Sequence, residues 1–296
     1  MNPTDESYAK IKNIIIKDIV DADEHMVVYL VYDPHYETHF ALKVIPENRF
    51  RQSEINLMNE IDDPSIVRMY NYEHYEGFIY ILYEFCQASL YSIIKQKNYL
   101  DGDNLIRYSC GILKAIQACQ NNKIAHLDIK PENILLDDYD RIKICDFGLS
   151  IKYENKDTEL HYGGSIPFIA PEILDMKPYN PFKADIWSIG VTFFVMATGF
   201  FPWIGADETE LCQNTLHKKP QLELIRNHEF QKVIGCCLSK NPEERPTVDQ
   251  LLNMAIFRQN SLSNQALPTI LPRLYNARPR IKHTTCIFKT PKRNSL

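Results

Sequence analysis

His126-Leu127-Asp128-Ile129-Lys130-Pro131-Glu132-Asn133, followed thirteen positions later by Asp146-Phe147-Gly148, is the stretch on which the fold turns. It gathers two aspartates, a lysine and an asparagine. These are the oxygen and ammonium groups needed to hold magnesium, a polyphosphate and an attacking hydroxyl together. His-Leu-Asp or Asp-Phe-Gly standing alone reads as a surface turn. In this order and at this spacing the two read as one site.

The spacing D-x-K-P-E-N…D-F-G resembles the catalytic core of the eukaryotic protein kinases, in its serine/threonine version. Its wording is most similar to the calcium/calmodulin-dependent and AMP-activated branch. The resemblance implies an α+β, protein-kinase-like bilobal fold, with a small β-rich lobe over about residues 8–84 and a larger, mainly helical lobe over about 87–257. It also implies roles. Asp128 accepts or orients the proton of a substrate hydroxyl, and Lys130 neutralises the migrating phosphoryl group. Asn133 and Asp146 hold magnesium, and Gly148 permits the turn that aims Asp146 inward. Lys43 grips the α- and β-phosphates and pairs with Glu54. Val28, Ala41, Glu84, Cys86 and Leu135 complete the ATP site. His126, Phe147, Met58 and Met69 match an internal stack, so His126 is structural.

Further downstream, Gly164-Ser165-Ile166-Pro167-Phe168-Ile169-Ala170-Pro171-Glu172 resembles the end of an activation segment, with Glu172 paired to Arg245. Asp185-Ile186-Trp187-Ser188-Ile189-Gly190 resembles the helix whose aspartate ties down the catalytic loop. Ser165 and Lys130 match the serine/threonine type. Val195 stands where members preferring basic substrates often place an acid.

The chain departs from the family upstream. Counting back from Val28, the phosphate-covering G-x-G-x-x-G falls on Asp21, Asp23 and Met26, with Glu24 between. Glycine serves there because backbone N–H groups must approach phosphate oxygens closely. Only eleven positions separate Lys43 from Glu54, fewer than usual, so the intervening helix has lost its first turn or more. Leu127 replaces an arginine that reads a phosphorylated activation segment, so phosphate on Thr158 is expected to matter little. Tyr83 narrows the back of the adenine site.

The pattern along the chain agrees with two lobes. Val27–Val31 and His39–Ile45 flank a turn at Asp33-Pro34-His35 and read as a hairpin. Ser53–Ile61 carries one helical apolar face, and Ile66–Met69 and Phe78–Tyr83 read as strands. Asp103–Gln120 and Pro181–Thr198 read as long helices. The apolar run Ile186–Ile204 opens after Asp185 and is broken by Gly199 and Pro202, which suits a buried core helix and not a membrane span.

Eight of the 33 basic residues and none of the 38 acids lie beyond Asp249. The first 249 residues therefore carry 25 cations against 38 carboxylates, a balance of −13, and a basic tail over 258–296 carries +8. The eight cysteines lack metal-ligand spacing, and Met1–Ser7 has no basic-then-apolar pattern. A reduced, cytoplasmic protein is expected, with the nucleus as the alternative. Two functions follow: an ATP- and Mg²⁺-dependent protein serine/threonine kinase, or a pseudokinase acting as scaffold or allosteric partner because its loop lacks glycines. Expected partners are ATP and a protein substrate, with no nucleic acid.

Overall fold

A computed structural model of the chain describes residues 2–153 and 163–262. Thr158 and the tail beyond 262 lie outside the described residues. The small lobe is built from α1 (Pro3–Lys12), β1 (Ile15–Ala22), β2 (Val27–Asp33), β3 (Thr38–Pro46), α2 (Gln52–Glu60), β4 (Met69–Tyr75) and β5 (Phe78–Glu84). Its antiparallel sheet has the order β1-β2-β3-β5-β4. Val28 pairs with Lys43, and Lys43 with Ile81, so these three lie in one row across the sheet. Their neighbours Tyr29, Leu42, Val44 and Tyr80 point to the opposite face and form a second apolar cluster.

The helix α1 covers that second cluster. It starts on Asn2, whose side chain accepts from the Thr4 amide, with Pro3 inside the start and Asp5 and Glu6 in the first turn. Lys10 and Lys12 lie in its last turn, and it ends on Asn13 in the left-handed region. Cap, charge and proline all favour a helix here. Tyr8 stacks on Tyr80 at 3.8 Å between ring centroids. Asp5, only 2% exposed, accepts from Tyr29 Oη at 2.6 Å and Tyr80 Oη at 2.7 Å. The small lobe thus takes in residues ahead of the boundary expected at residue 8.

Of the expected strand Ile66–Met69 only Met69 lies in one, as the first residue of β4. Asp63 accepts from the Ser65 amide and hydroxyl, and Ile66 makes only an isolated parallel bridge with Ile144 of the other lobe. The segment's amides are used in stapling the lobes: Val67 N–H donates to Ile144 O at 2.9 Å and Ile144 N–H to Ser65 O at 2.7 Å.

In the large lobe come β6 (Ala88–Ser89), α3 (Leu90–Lys97), α4 (Gly102–Asn121), β7 (Ile124–Ala125), β8 (Ile134–Leu136), β9 (Ile142–Ile144) and β10 (Ile151–Lys152). They are followed by α5 (Pro171–Leu174), α6 (Pro181–Thr198), α7 (Glu208–His217), α8 (His228–Cys237), α9 (Val248–Leu252) and α10 (Ala255–Leu262). The helix α6 matches the expected bounds. Asn180 caps it by accepting from the Phe182 and Lys183 amides, and Pro181 sits at its first position. At its end Gly199 has φ +74, and a Cβ there would fall 2.0 Å from Asn98 O, so only glycine fits. Nearly every side chain of α6 is buried, which explains the uninterrupted apolar run. Among the described residues, no helix is long and apolar enough to cross a membrane. One continuous core runs from Ile55 and Ile81 of the small lobe through Phe147 to Trp187 and Phe193. This is the bilobal α+β arrangement that the resemblance implies.

Candidate active site

The floor of the site is the loop 126–133, held from below by α6. Asp185, fully buried, accepts from the His126 amide at 2.9 Å and the Leu127 amide at 2.8 Å. Burial pushes its pKa up to about 7, against the pull of those two amides. The grip fixes Leu127 in the left-handed region, at φ +63. His126 is also fully buried, and desolvation holds its pKa below the ordinary value. The neutral ring fits its partners: Nε2–H donates to Cys145 O at 3.1 Å, and Nδ1 accepts from the Asp128 amide at 3.2 Å. Its ring meets Phe147 edge-on at 5.0 Å. His126 is therefore a strut, the role the resemblance implies.

On this strut the reactive groups converge. Asp128 Oδ2 accepts from Lys130 Nζ at 2.7 Å and from Asn133 Nδ2 at 2.8 Å. Ser165 Oγ reaches Asp128 Oδ1 at 3.3 Å and accepts from Lys130 Nζ at 2.9 Å. Burial disfavours the Lys130 ammonium, but the Asp128 carboxylate outweighs it and raises the pKa. Asn133 turns its nitrogen toward Asp128, leaving its oxygen as the atom suited to a cation.

Asp146 stands across from them at φ +63, its side chain 43% exposed. Burial works against its ionisation, yet the charge of Lys43 outweighs this and holds its pKa below the ordinary value. The expected turn glycine has a different role from the one assigned. The left-handed φ falls on Asp146, while a Cβ on Gly148 would lie 3.3 Å from Asp146 Oδ1 and 3.7 Å from Glu54 Oε2. Gly148 leaves room for the Asp146 carboxylate and is itself outside the left-handed region.

Lys43 completes the cluster, with Nζ 3.2 Å from Glu54 Oε1 and 3.4 Å from Asp146 Oδ1. Desolvation would lower its pKa; Asp146 and then Glu54 raise it above the ordinary lysine value. The helix α2 has nine residues and begins only two before Glu54, as short as the sequence spacing implies. Contacts invisible in the sequence compensate. Arg51 Nη1 donates to Gly148 O at 3.2 Å, and Lys152 pairs with Glu60 at 2.6 Å, so both ends of α2 are tied to the segment after Asp146.

Half-buried Ala41, Cys86 and Leu135 pack against the main core, and Val28 lies beside Lys43 in the sheet. Tyr83, buried, faces Ala41 across β3 and β5 and donates to Met58 Sδ at 3.9 Å, at the position the resemblance puts behind the adenine. The Glu84 carboxylate accepts from the Arg68 amide and from buried Lys143, each at 2.6 Å, so its side chain is engaged within the protein. An unpaired Lys143 in that place would be a desolvated charge, which explains the capture. Val195 is fully buried inside α6.

The loop between β1 and β2 is closed on itself. Asp23 N–H donates to Met26 O at 3.0 Å, and Asp23 Oδ1 accepts from the His25 and Met26 amides at 2.6 and 2.8 Å. Farther down, Glu172 and Arg245 form a buried two-pronged pair at 2.6 and 2.7 Å.

A family model described as the protein kinase domain matches residues 24–257. The chain belongs to the protein kinase family. The match begins inside the acidic loop, so α1, β1 and the first two missing glycines lie ahead of it. Among curated proteins, the chain is similar to sperm motility kinase 2A of Mus musculus, 32% identical over 220 residues, which is 73% of this chain and 44% of that protein. It is similar to serine/threonine-protein kinase SIK1 of Rattus norvegicus, 29% identical over 243 residues, 79% of this chain and 30% of that one. Probable serine/threonine-protein kinase MARK-A of Dictyostelium discoideum is 30% identical over 213 residues, 71% and 20% of the two chains. These relatives agree with the serine/threonine type and branch that the catalytic segments resemble. The chain spans less than half the length of these relatives.

Proposed function

We propose that this kinase domain transfers the γ-phosphoryl group of ATP to serine or threonine hydroxyls of a protein, with magnesium. The observation that carries this reading is the assembled cluster: Lys43 meets both Glu54 and Asp146, while Asp128, Lys130 and Ser165 meet each other. Phosphoryl transfer demands positioning and charge neutralisation more than covalent work by the protein, and this arrangement provides both. The carboxylate of Asp146 and the amide oxygen of Asn133 are hard oxygen donors that fit magnesium. When bound, that ion neutralises phosphate charge as the bond breaks. Asp128 orients an incoming hydroxyl and takes its proton. Lys130, already beside Asp128 and Ser165, sits where the moving group's charge develops. Lys43 binds the phosphates that stay behind.

A scaffold without turnover is the second reading, and the self-closed acidic loop is the observation in its favour. It asks for no assembled catalytic pair, whereas this chain keeps every member. The free thiols at all seven described cysteines support work in a reducing compartment, which we take to be the cytoplasm. A Ser/Thr peptide array with labelled ATP and magnesium tests the proposal. Labelled peptides are expected from the wild type and none from Lys43→Met; equal signals from both would remove the kinase reading.

A further inference from the structure

The loop over the phosphate position has already engaged four of its own amides, those of Ala22, Asp23, His25 and Met26. Asp23 Oδ1 takes the amides of His25 and Met26, and Asp21 Oδ1 takes the amide of Ala22 at 2.9 Å. These are backbone groups that a glycine loop would leave free for phosphate oxygens. Asp21 pairs with Val28, and Val28 with Lys43, so the closed loop ends on the very row that carries Lys43. Met26 adds a second obstruction, because its half-buried side chain packs against the core that Ala41, Cys86 and Leu135 also join.

We propose that Asp23 is an affinity-setting residue, a built-in anion that occupies the loop's amides and makes the site nearly indifferent to the phosphates of a nucleotide beyond what Lys43 and the metal ligands hold. This rests on the proposed ATP-dependent function and deepens it. A carboxylate held by two amides mimics a phosphate oxygen in charge and geometry, so phosphate and Asp23 compete for the same donors. The chain then favours the nucleoside part of its ligand and binds the triphosphate only modestly more tightly.

Two variants separate charge from donor occupancy. Asp23→Asn keeps an oxygen that accepts both amides and removes the charge; Asp23→Gly removes both. Calorimetric titration with adenosine and with Mg·ATP reads the outcome, and amide exchange at His25 and Met26 checks the loop. Adenosine affinity is expected to stay constant in all three proteins. Affinity for Mg·ATP is expected to rise about fivefold in Asp23→Asn from lost repulsion. It is expected to rise about thirtyfold in Asp23→Gly once charge-assisted bonds to phosphate form. Amide exchange should quicken only in Asp23→Gly. A gain in Asp23→Gly no larger than in Asp23→Asn, or an equal gain for adenosine, overturns the inference. Normal peptide phosphorylation by the wild type with no gain in Asp23→Gly sinks this inference alone. The expected gain without phosphorylation by any of the three proteins sinks the catalytic reading alone.

Discussion

Replacing Glu172 by Gln should unfold this domain far more easily than its conservative chemistry suggests. Arg245 is 1% exposed and its guanidinium donates to Glu172 Oε1 and Oε2, to Ser239 O at 2.9 Å and to Lys183 O at 2.9 Å. It also lies 5.0 Å over the Trp187 ring. Taking away the carboxylate leaves a full positive charge in the core with only neutral acceptors. Breaking a buried pair in this way costs about 3–5 kcal/mol. For a domain of this size each kcal/mol moves the melting temperature by about 2–4 °C, so a fall of roughly 6–20 °C is expected. Circular dichroism melts of the wild type, Glu172→Gln, Arg245→Met and the double variant form the cycle. The double variant should recover part of the loss, because no orphan charge remains. A single-variant loss below about 1 kcal/mol, the range of an exposed pair, would refute the reasoning.

Three other outcomes follow from the geometry. Asp5→Ala removes the acceptor shared by Tyr29 and Tyr80 and should cost about 2–4 kcal/mol, one to two unmet buried hydroxyls, in chemical denaturation; an unchanged midpoint would mean that α1 is not docked. The Lys240 ammonium lies 4.9 Å from the Trp187 ring and 4.2 Å from the Trp203 ring, and burial, then Arg245, pulls its pKa down to about 8. Its charged form is thus the disfavoured one in the fold, so this group's contribution to stability rises with pH between about 8 and the ordinary 10.5. Emission from these two tryptophans, the chain's complete set, should titrate near pH 8 and lose that step in Lys240→Met. Tyr83→Gly should open the rear of the slot and admit adenine analogues with bulky substituents at least tenfold better, at a packing cost of about 3–5 kcal/mol; equal competition against wild type and variant would contradict the placement of Tyr83.

The candidate site residues were legible because the chemistry they suit tolerates few substitutes and their order is local: Asp128, Lys130 and Asn133 lie on one loop. The long helix α6 was legible because its cap, its proline and its closing glycine frame one apolar run. What escaped depends on partners far along the chain. Asp5 finds Tyr29 and Tyr80 at separations of 24 and 75 residues, and Tyr8 and Ala9 alone give α1 no apolar stripe. The pairing of the Glu84 side chain was hidden because Lys143, its partner, lies 59 positions away. Ile66 and Val67 are strand-like residues, but their backbone partner is a single residue of the other lobe, Ile144. Gly148 was credited with a backbone freedom that Asp146 supplies itself, and the loop's missing glycines gave no hint that Asp23 would take over their amides.

The decisive experiment is single-turnover transfer from labelled ATP to a serine-containing acceptor peptide, comparing wild type with Asp128→Asn in magnesium. Transfer by the wild type is expected, with a rate about 10²–10⁴ lower in the variant, the usual contribution of a positioned base. Equal rates in the two proteins, or no transfer by either, would contradict the catalytic reading.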